Sequence, residues 1–223
     1  MLEKLGDLNV RLVGGGDGPL VILLHGFGAP GDDLVPFGDM LQHPNTRFVF
    51  PEAPLRLDGY GGGRAWWHID MVAIQESLMR GVREPLDDLV PEGLTEAREK
   101  MVRLLEAAVD RFKPGKIILG GFSQGAMLSC DVAWHCKIPL SGLVLLSGTL
   151  LAQSMWRPLM PARRGLRVFQ SHGTDDPLLR YSGAEHLRDS MIDAGLEVDF
   201  VSFSGGHEIP VTALRRLAAF LKT

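Results

Sequence analysis

Gly121-Phe122-Ser123-Gln124-Gly125 lies between an apolar run, KIIL, and a helical pattern beginning at Gln124. A serine at a sharp strand-to-helix turn, with little bulk two residues to either side, can lift its hydroxyl clear of a sheet as a nucleophile. Such a hydroxyl needs a base within hydrogen-bond reach. Of the seven histidines, His207 is the best placed. It sits in SFSGGHEIP, a Gly-rich turn between the last strand-like run and the last helical one, which could present an imidazole at the carboxyl edge of a sheet. His43, His135 and His186 fall in or beside helical patterns, and His68 lies in a long excursion. The imidazole in turn needs a carboxylate to fix its tautomer. HGTDDPLL supplies two, Asp175 and Asp176, and their spacing alone does not choose between them.

The order Ser, Asp, His along the chain is that of α/β-hydrolases and not of the chymotrypsin or subtilisin arrangements. The earlier stretch LLHGFGAPGDD, residues 23–33, admits two interpretations. Gly26, Gly28 and Gly31 spell G-x-G-x-x-G after an apolar run, and Glu52 stands about 20 positions on, where a dinucleotide-binding loop wants an acid. Against that, Pro51 and Pro54 stiffen the corner around Glu52. Pro30 also falls where a phosphate loop wants free N–H groups. In a hydrolase the same glycines would let the backbone turn so that the Phe27 amide faces Ser123. The Phe27 and Gln124 N–H groups would then hold the oxyanion of a tetrahedral intermediate. This second interpretation also uses the serine, acid and histidine further along. His172, Asp175 and Asp176 crowd one turn, where adjacent positions rarely converge on an ion. No metal and no cofactor are therefore expected.

These side chains must be positioned by the elements around them. Strand-like runs fall at 8–13, 20–25, 47–50, 116–121, 142–147, 166–172 and 198–203. Several are continuously apolar, as when helices cover both faces of a parallel sheet. The first alternates instead, and GGGDG follows it as a turn, so an antiparallel hairpin at the sheet edge is expected there. The clearest helix spans 96–112, with Ala97, Met101, Leu104, Leu105, Ala108 and Phe112 on one face. Thr95 is its expected cap, and Pro114-Gly115 stops it. Further helices are expected at 32–42, 124–136, 180–194 and 210–222. The whole chain, 1–223, therefore reads as a single α/β domain, a three-layer sandwich on a mostly parallel sheet of about seven strands. Its long excursion, about 58–95, is expected to pass over the active-site cleft. That stretch carries the candidate substrate-binding residues Trp66, Trp67 and Met71, with a short helical piece near 71–82. Met71, Val72, Ile74, Leu78 and Met79 could form an apolar flap, whose exposure would favour a homodimer.

Bulk properties narrow the partners. The 223 residues carry a net charge of −4, so no general field draws nucleic acid or an anionic membrane. Arg157, Arg163, Arg164 and Arg167 cluster in a Pro-containing segment expected to be a solvated loop. The two cysteines, Cys130 and Cys136, lie six apart in one expected helix, which argues against a mutual disulfide. Two free thiols and the lack of a signal-peptide core fit a cytoplasmic protein. No run approaches the length of a membrane span, so no integral membrane association is expected.

Taken in order, LLHGFGAPGDD, FPEAP, RAWWHID, GGFSQGAML, LVLLSGTL, HGTDDPLL and GGHEIP resemble the phospholipase/carboxylesterase family of α/β-hydrolases. That family includes acyl-protein thioesterases and small bacterial carboxylesterases. The resemblance implies that Asp176 is the triad acid, with Ser123 and His207, and that the Phe27 and Gln124 amides form the oxyanion site. It departs from the family pattern at 71–95, which is longer and richer in Met and Leu. The expected activity is cleavage of carboxylic esters with short to medium acyl chains, through an acyl-enzyme. Thioester or lysophospholipid cleavage at the same site is the alternative implied by resemblance. A dinucleotide-binding protein using Gly26, Gly28 and Gly31 is the alternative of another class.

Overall fold

The structure is a computed structural model and describes residues 2–41, 45–59, 61–72, 76, 79–80 and 86–222. The apolar runs form β3 (Leu20–Leu24), β4 (Arg47–Pro51), β7 (Ile117–Phe122), β8 (Gly142–Leu146), β9 (Arg167–Gly173) and β10 (Glu197–Phe203). β1 (Leu2–Leu5) and β2 (Leu8–Gly14) precede them, and β5 (Leu55–Arg56) and β6 (Arg64–Ala65) make a separate small ribbon. The main sheet has eight strands in the order β1-β2-β4-β3-β7-β8-β9-β10. From β4 to β10 every neighbouring pair is parallel. The α/β-hydrolase architecture expected from the sequence is therefore present, with one strand more than the seven foreseen.

Every residue of β3 and of β8 is buried, because helices pack on both faces. Leu20, Ile22 and Leu24 share a core with α2 (Leu94–Phe112), α3 (Gln124–His135) and α5 (Tyr181–Asp193). Val21 and Leu23 point the other way, into a core with α1 (Val35–Met40) and α6 (Val211–Phe220). A short α4 (Gln153–Trp156) follows β8, and a 3-10 turn (Met160–Arg163) precedes β9. Four of the expected helices match α2, α3, α5 and α6 to within two residues at each end. The one expected at 32–42 is shorter, α1, and residue 42 lies outside the described residues.

The expected hairpin between the first two runs does not form. β2 pairs antiparallel with β1 and with β4, and β4 separates it from β3. The Gly14–Gly18 turn leans on the start of β4 instead: Gly15 N–H donates to the Thr46 carbonyl and Gly18 N–H to that of Asn45. β3, buried throughout, takes parallel neighbours on both sides. The true hairpin is β1–β2, which closes at Gly6 with φ 55°, a left-handed conformation suited to glycine. Thr95 is not the cap of α2, which starts at Leu94 after Gly93 (φ 88°); its hydroxyl accepts from Arg98 at 3.4 Å.

The basic cluster is only partly solvated: Arg157 and Arg164 are exposed, whereas Arg163 and Arg167 are half-buried. Arg163 caps the end of α3, donating to the carbonyls of Ala133 (2.8 Å), Ile138 (3.1 Å) and Cys136. Arg157 donates to Ser190, and Arg167 lies over the Phe220 ring. Both cysteines are free and buried.

Within the excursion, Ile74 and Leu78 of the expected flap, and parts of the helical piece near 71–82, lie outside the described residues. Met71 and Val72 are helical, with Val72 exposed. The far end is tied to the body of the domain. Gln153 N–H donates to the Asp87 carbonyl (2.7 Å), Ala152 N–H to that of Leu89 (3.1 Å), and His186 meets Asp87 at 2.8 Å.

Candidate active site

β7 passes into α3 through Ser123, whose φ of 54° and ψ of −117° place a non-glycine residue in a strained conformation. Such strain costs about 1–3 kcal/mol and persists only where surrounding contacts enforce it. Here the Ser123 N–H donates to the Leu146 carbonyl at 2.8 Å, and its carbonyl accepts from Ala126 and Met127. The flanking glycines are steric requirements. A Cβ on Gly121 or on Gly125 would overlap the carbonyl oxygen of Leu24.

His207 Nε2 lies 2.8 Å from Ser123 Oγ, and its Nδ1 lies 2.7 Å from Asp176 Oδ2. With Nδ1–H donating to the carboxylate, Nε2 is left to accept the serine hydroxyl. The other oxygen of Asp176 accepts the amides of Leu178 (2.8 Å) and Leu179 (2.9 Å). Burial alone would raise the Asp176 pKa. The His207 hydrogen bond and charge, with these two amides, outweigh it and hold the carboxyl below its ordinary value. Asp175 faces outward and accepts from Thr174. The choice that spacing left open thus falls to Asp176 on contact geometry.

The turn carrying His207 is fixed largely by main-chain contacts with the acid turn. Asp175 N–H donates to the Gly205 carbonyl and Thr174 N–H to that of Phe203. A Cβ on Gly173 would strike the carbonyls of Gly205 and Gly206, so the two turns can approach because residue 173 is glycine. Ser147 Oγ donates to the Glu208 carbonyl at 3.1 Å, and the Phe122 ring lies 4.8 Å from that of His207.

The loop carrying Phe27 runs beside the elbow: a Cβ on Gly26 would lie 3.4 Å from that of Ser123. The Gln124 amide stands in the first turn of α3, where main-chain N–H groups have no intrahelical acceptor. Inside, the Gln124 side chain accepts from Trp66 N–H and donates to the Trp67 carbonyl, both at 2.9 Å. Trp66 Nε1 donates to the His25 carbonyl at 2.9 Å. His25 Nδ1 lies 2.8 Å from the Gly26 carbonyl and its Nε2 accepts the Ala53 N–H at 3.1 Å, which requires the neutral Nδ1–H tautomer. Burial lowers its pKa accordingly. Sequence pattern gave no role to the side chains of His25 and Gln124. The sign available was two buried-type polar residues flanking the glycines and the serine.

Trp66 and Trp67 were candidates to line the substrate cleft. Each is only 2% exposed and packed in the larger core cluster, so neither ring offers an open wall. Their main chain grips Gln124 instead. Met71 is half-buried at the start of the helical piece.

The dinucleotide alternative loses its acid. Glu52 is held by Arg11 (2.6 Å), Arg64 (3.1 Å) and Asn9 (3.3 Å), and its side chain fills the space that a Cβ on Gly31 would need. The glycine loop also opens no long helix, since α1 begins at Val35 and spans six residues. Among the described residues, no three His, Cys, Asp or Glu side chains gather as a metal site.

A serine at a strand-to-helix elbow, an acid after β9 and a histidine after β10 define the class as an α/β-hydrolase. Residues 14–223 match the phospholipase/carboxylesterase family, and the chain belongs to that family. It is 30% identical over 182 residues to acyl-protein thioesterase 1 of Cryptococcus neoformans var. neoformans serotype D, covering 77% of this chain and 72% of the relative. It is 28% identical over 215 residues to acyl-protein thioesterase 1 of Aspergillus fumigatus, covering 91% and 86%. Among solved structures, esterase PE8 superposes with a TM-score of 0.82 at 26% identity, covering 96% of this chain and 98% of the other. Among the described residues, no helix is long and apolar enough to cross a membrane.

Proposed function

We propose that the protein is a serine esterase that cleaves short- to medium-chain acyl esters by way of a covalent acyl-enzyme, with Ser123, His207 and Asp176 as its triad. The observation that carries this is His207 bridging the Ser123 hydroxyl and the buried Asp176 carboxylate at 2.8 and 2.7 Å. Ser123 Oγ attacks the acyl carbonyl while its proton passes to Nε2 of His207. The carbonyl oxygen becomes an oxyanion, which the Phe27 and Gln124 amides stabilise. Asp176 stabilises the imidazolium and holds its orientation. Collapse of the tetrahedral intermediate breaks the bond to the leaving oxygen or sulfur, which takes the proton from Nε2. Water then enters deprotonated by the same nitrogen and releases the acid.

The substrate is a small-molecule ester, and no nucleic acid or resident cofactor enters the cycle. Met71, half-buried at the start of the helical piece, is the candidate contact for the acyl chain. A thioester is the second reading, favoured by the acyl-protein thioesterases among the relatives.

A p-nitrophenyl series from acetate to dodecanoate, with an acyl thioester of each length in parallel, tests the proposal. Higher kcat/KM for the short and middle oxygen esters, lost in Ser123→Ala, supports it. A uniform preference for thioesters replaces the substrate class. Equal turnover by Ser123→Ala removes the mechanism.

A further inference from the structure

Glu52 and Arg64 stand out among groups the chemistry above does not use. The loop 25–33 that carries Phe27 belongs to no strand. Its turn is fixed by two main-chain bonds to one residue: Gly28 N–H donates to the Arg64 carbonyl at 2.9 Å, and Arg64 N–H to the Ala29 carbonyl at 3.0 Å. Arg64 belongs to the ribbon β5–β6, with two residues in each strand. Two strands that short do not hold themselves in place.

The Arg64 side chain ties this ribbon to the main sheet. Its guanidinium donates to the Ala53 carbonyl at 2.9 Å and meets Glu52 Oε2 at 3.1 Å, just past the end of β4. The pair is largely shielded, with side chains 14% and 8% exposed. Glu52 is itself held from β2 by Arg11, at 2.6 Å, and by Asn9. Arg11 also reaches Asp32, at 3.6 Å, on the other end of the loop. The missing Cβ of Gly31 lets Glu52 lie directly beneath the loop. A planar guanidinium bonding a carboxylate and a carbonyl at once fixes its own backbone in a way an ammonium does not.

Resting on the esterase reading above, we infer that Glu52 and Arg64 are positioning residues for the oxyanion site. They act through the Arg64 main chain on the turn that aims the Phe27 N–H. Oxyanion donors help only where charge develops, so misplacing one raises the barrier without weakening substrate binding.

The test measures kcat and KM separately for Arg64→Met and Glu52→Gln on a p-nitrophenyl ester. It also measures the affinity of each for an alkyl boronic acid, whose tetrahedral serine adduct places an oxygen where the oxyanion forms. Arg64→Met is expected to lower kcat about ten- to a hundredfold, a part of the loss on removing a whole donor. KM should stay within about twofold and boronate affinity should fall in step with kcat. Glu52→Gln should move both the same way by less. If Arg64→Met does not fold, Arg64→Lys, which keeps the charge and loses the fork, is judged by the same criteria. Folded variants with wild-type kcat, or a change confined to KM or to melting temperature, overturn the inference. Ser123→Ala, assayed alongside, separates the two levels. Undiminished hydrolysis there refutes the esterase reading itself, whereas inactivity there with an unaffected Arg64→Met refutes this inference alone.

Discussion

His172 Nε2 lies 3.3 Å from Asp176 Oδ2, the same oxygen that His207 Nδ1 meets at 2.7 Å. His172 is fully buried and its Nε2 also faces the Leu179 carbonyl at 3.0 Å, so this nitrogen carries the proton. Two histidines therefore converge on one carboxylate, one open to Ser123 and one sealed behind it.

Burial lowers the pKa of His172 and also that of His25. Each group binds a proton more readily in the unfolded chain, where histidine titrates near about 6.5. Their contribution to stability is therefore complete above that pH and is lost as pH falls toward their folded values. Chemical denaturation at several pH values from 5 to 8 should show unfolding free energy rising with pH and flattening above about 6.5. His172→Gln, which keeps an N–H donor but does not titrate, should show a shallower rise. An unchanged slope would count against the neutral buried histidine.

The proposed triad predicts a larger cost at Ser123 and His207 than at Asp176. Ser123→Ala and His207→Ala should each lower kcat by about a millionfold, and Asp176→Asn by about ten-thousandfold. The double variant Ser123→Ala/His207→Ala should be no worse than either single one, because the residues act as a unit. Additive losses in steady-state kinetics would show that they do not.

Gly125→Ala puts a methyl group into the Leu24 carbonyl, which is backbone and cannot move aside cheaply. A loss of about 3 kcal/mol in urea denaturation is expected. Gly115→Ala, at the turn after α2 where a Cβ would meet nothing within 4 Å, serves as the control with little change.

Asp131 on α3 is fully buried and meets Arg98 (2.9 Å), Trp156 Nε1 (2.8 Å) and His135 (3.3 Å). Asp131→Ala would strand the Arg98 charge and the indole donor, costing about 3 kcal/mol. Because none of these groups belongs to the proposed triad, kcat per folded molecule should stay at the wild-type value. A fall in kcat larger than the fall in folded fraction would show coupling to the elbow.

The elbow, the acid turn and the histidine turn were legible because each is a local event. Gly121 and Gly125 are spaced by the needs of one turn, and the residues flanking them already alternate strand and helix. The apolar strands were legible for the same reason, since period and burial are written along one segment. What sequence did not reveal depends on distant partners. β4 inserts between β2 and β3 although residues 8–24 look like a self-contained hairpin. Gln124 finds its partners at Trp66 and Trp67, and Glu52 finds Arg11 and Arg64, with separations that no local spacing encodes. Arg163 looked solvated because its acceptors are carbonyls at the end of a helix that closes far earlier in the chain.

The central claim is that Ser123 is an activated nucleophile, and labelling by a fluorophosphonate tests it most directly. Intact mass and peptide mapping should show one adduct, on Ser123, in the wild-type protein, and greatly slowed labelling in His207→Ala. Folded wild-type protein that gains no adduct at Ser123 would contradict the account.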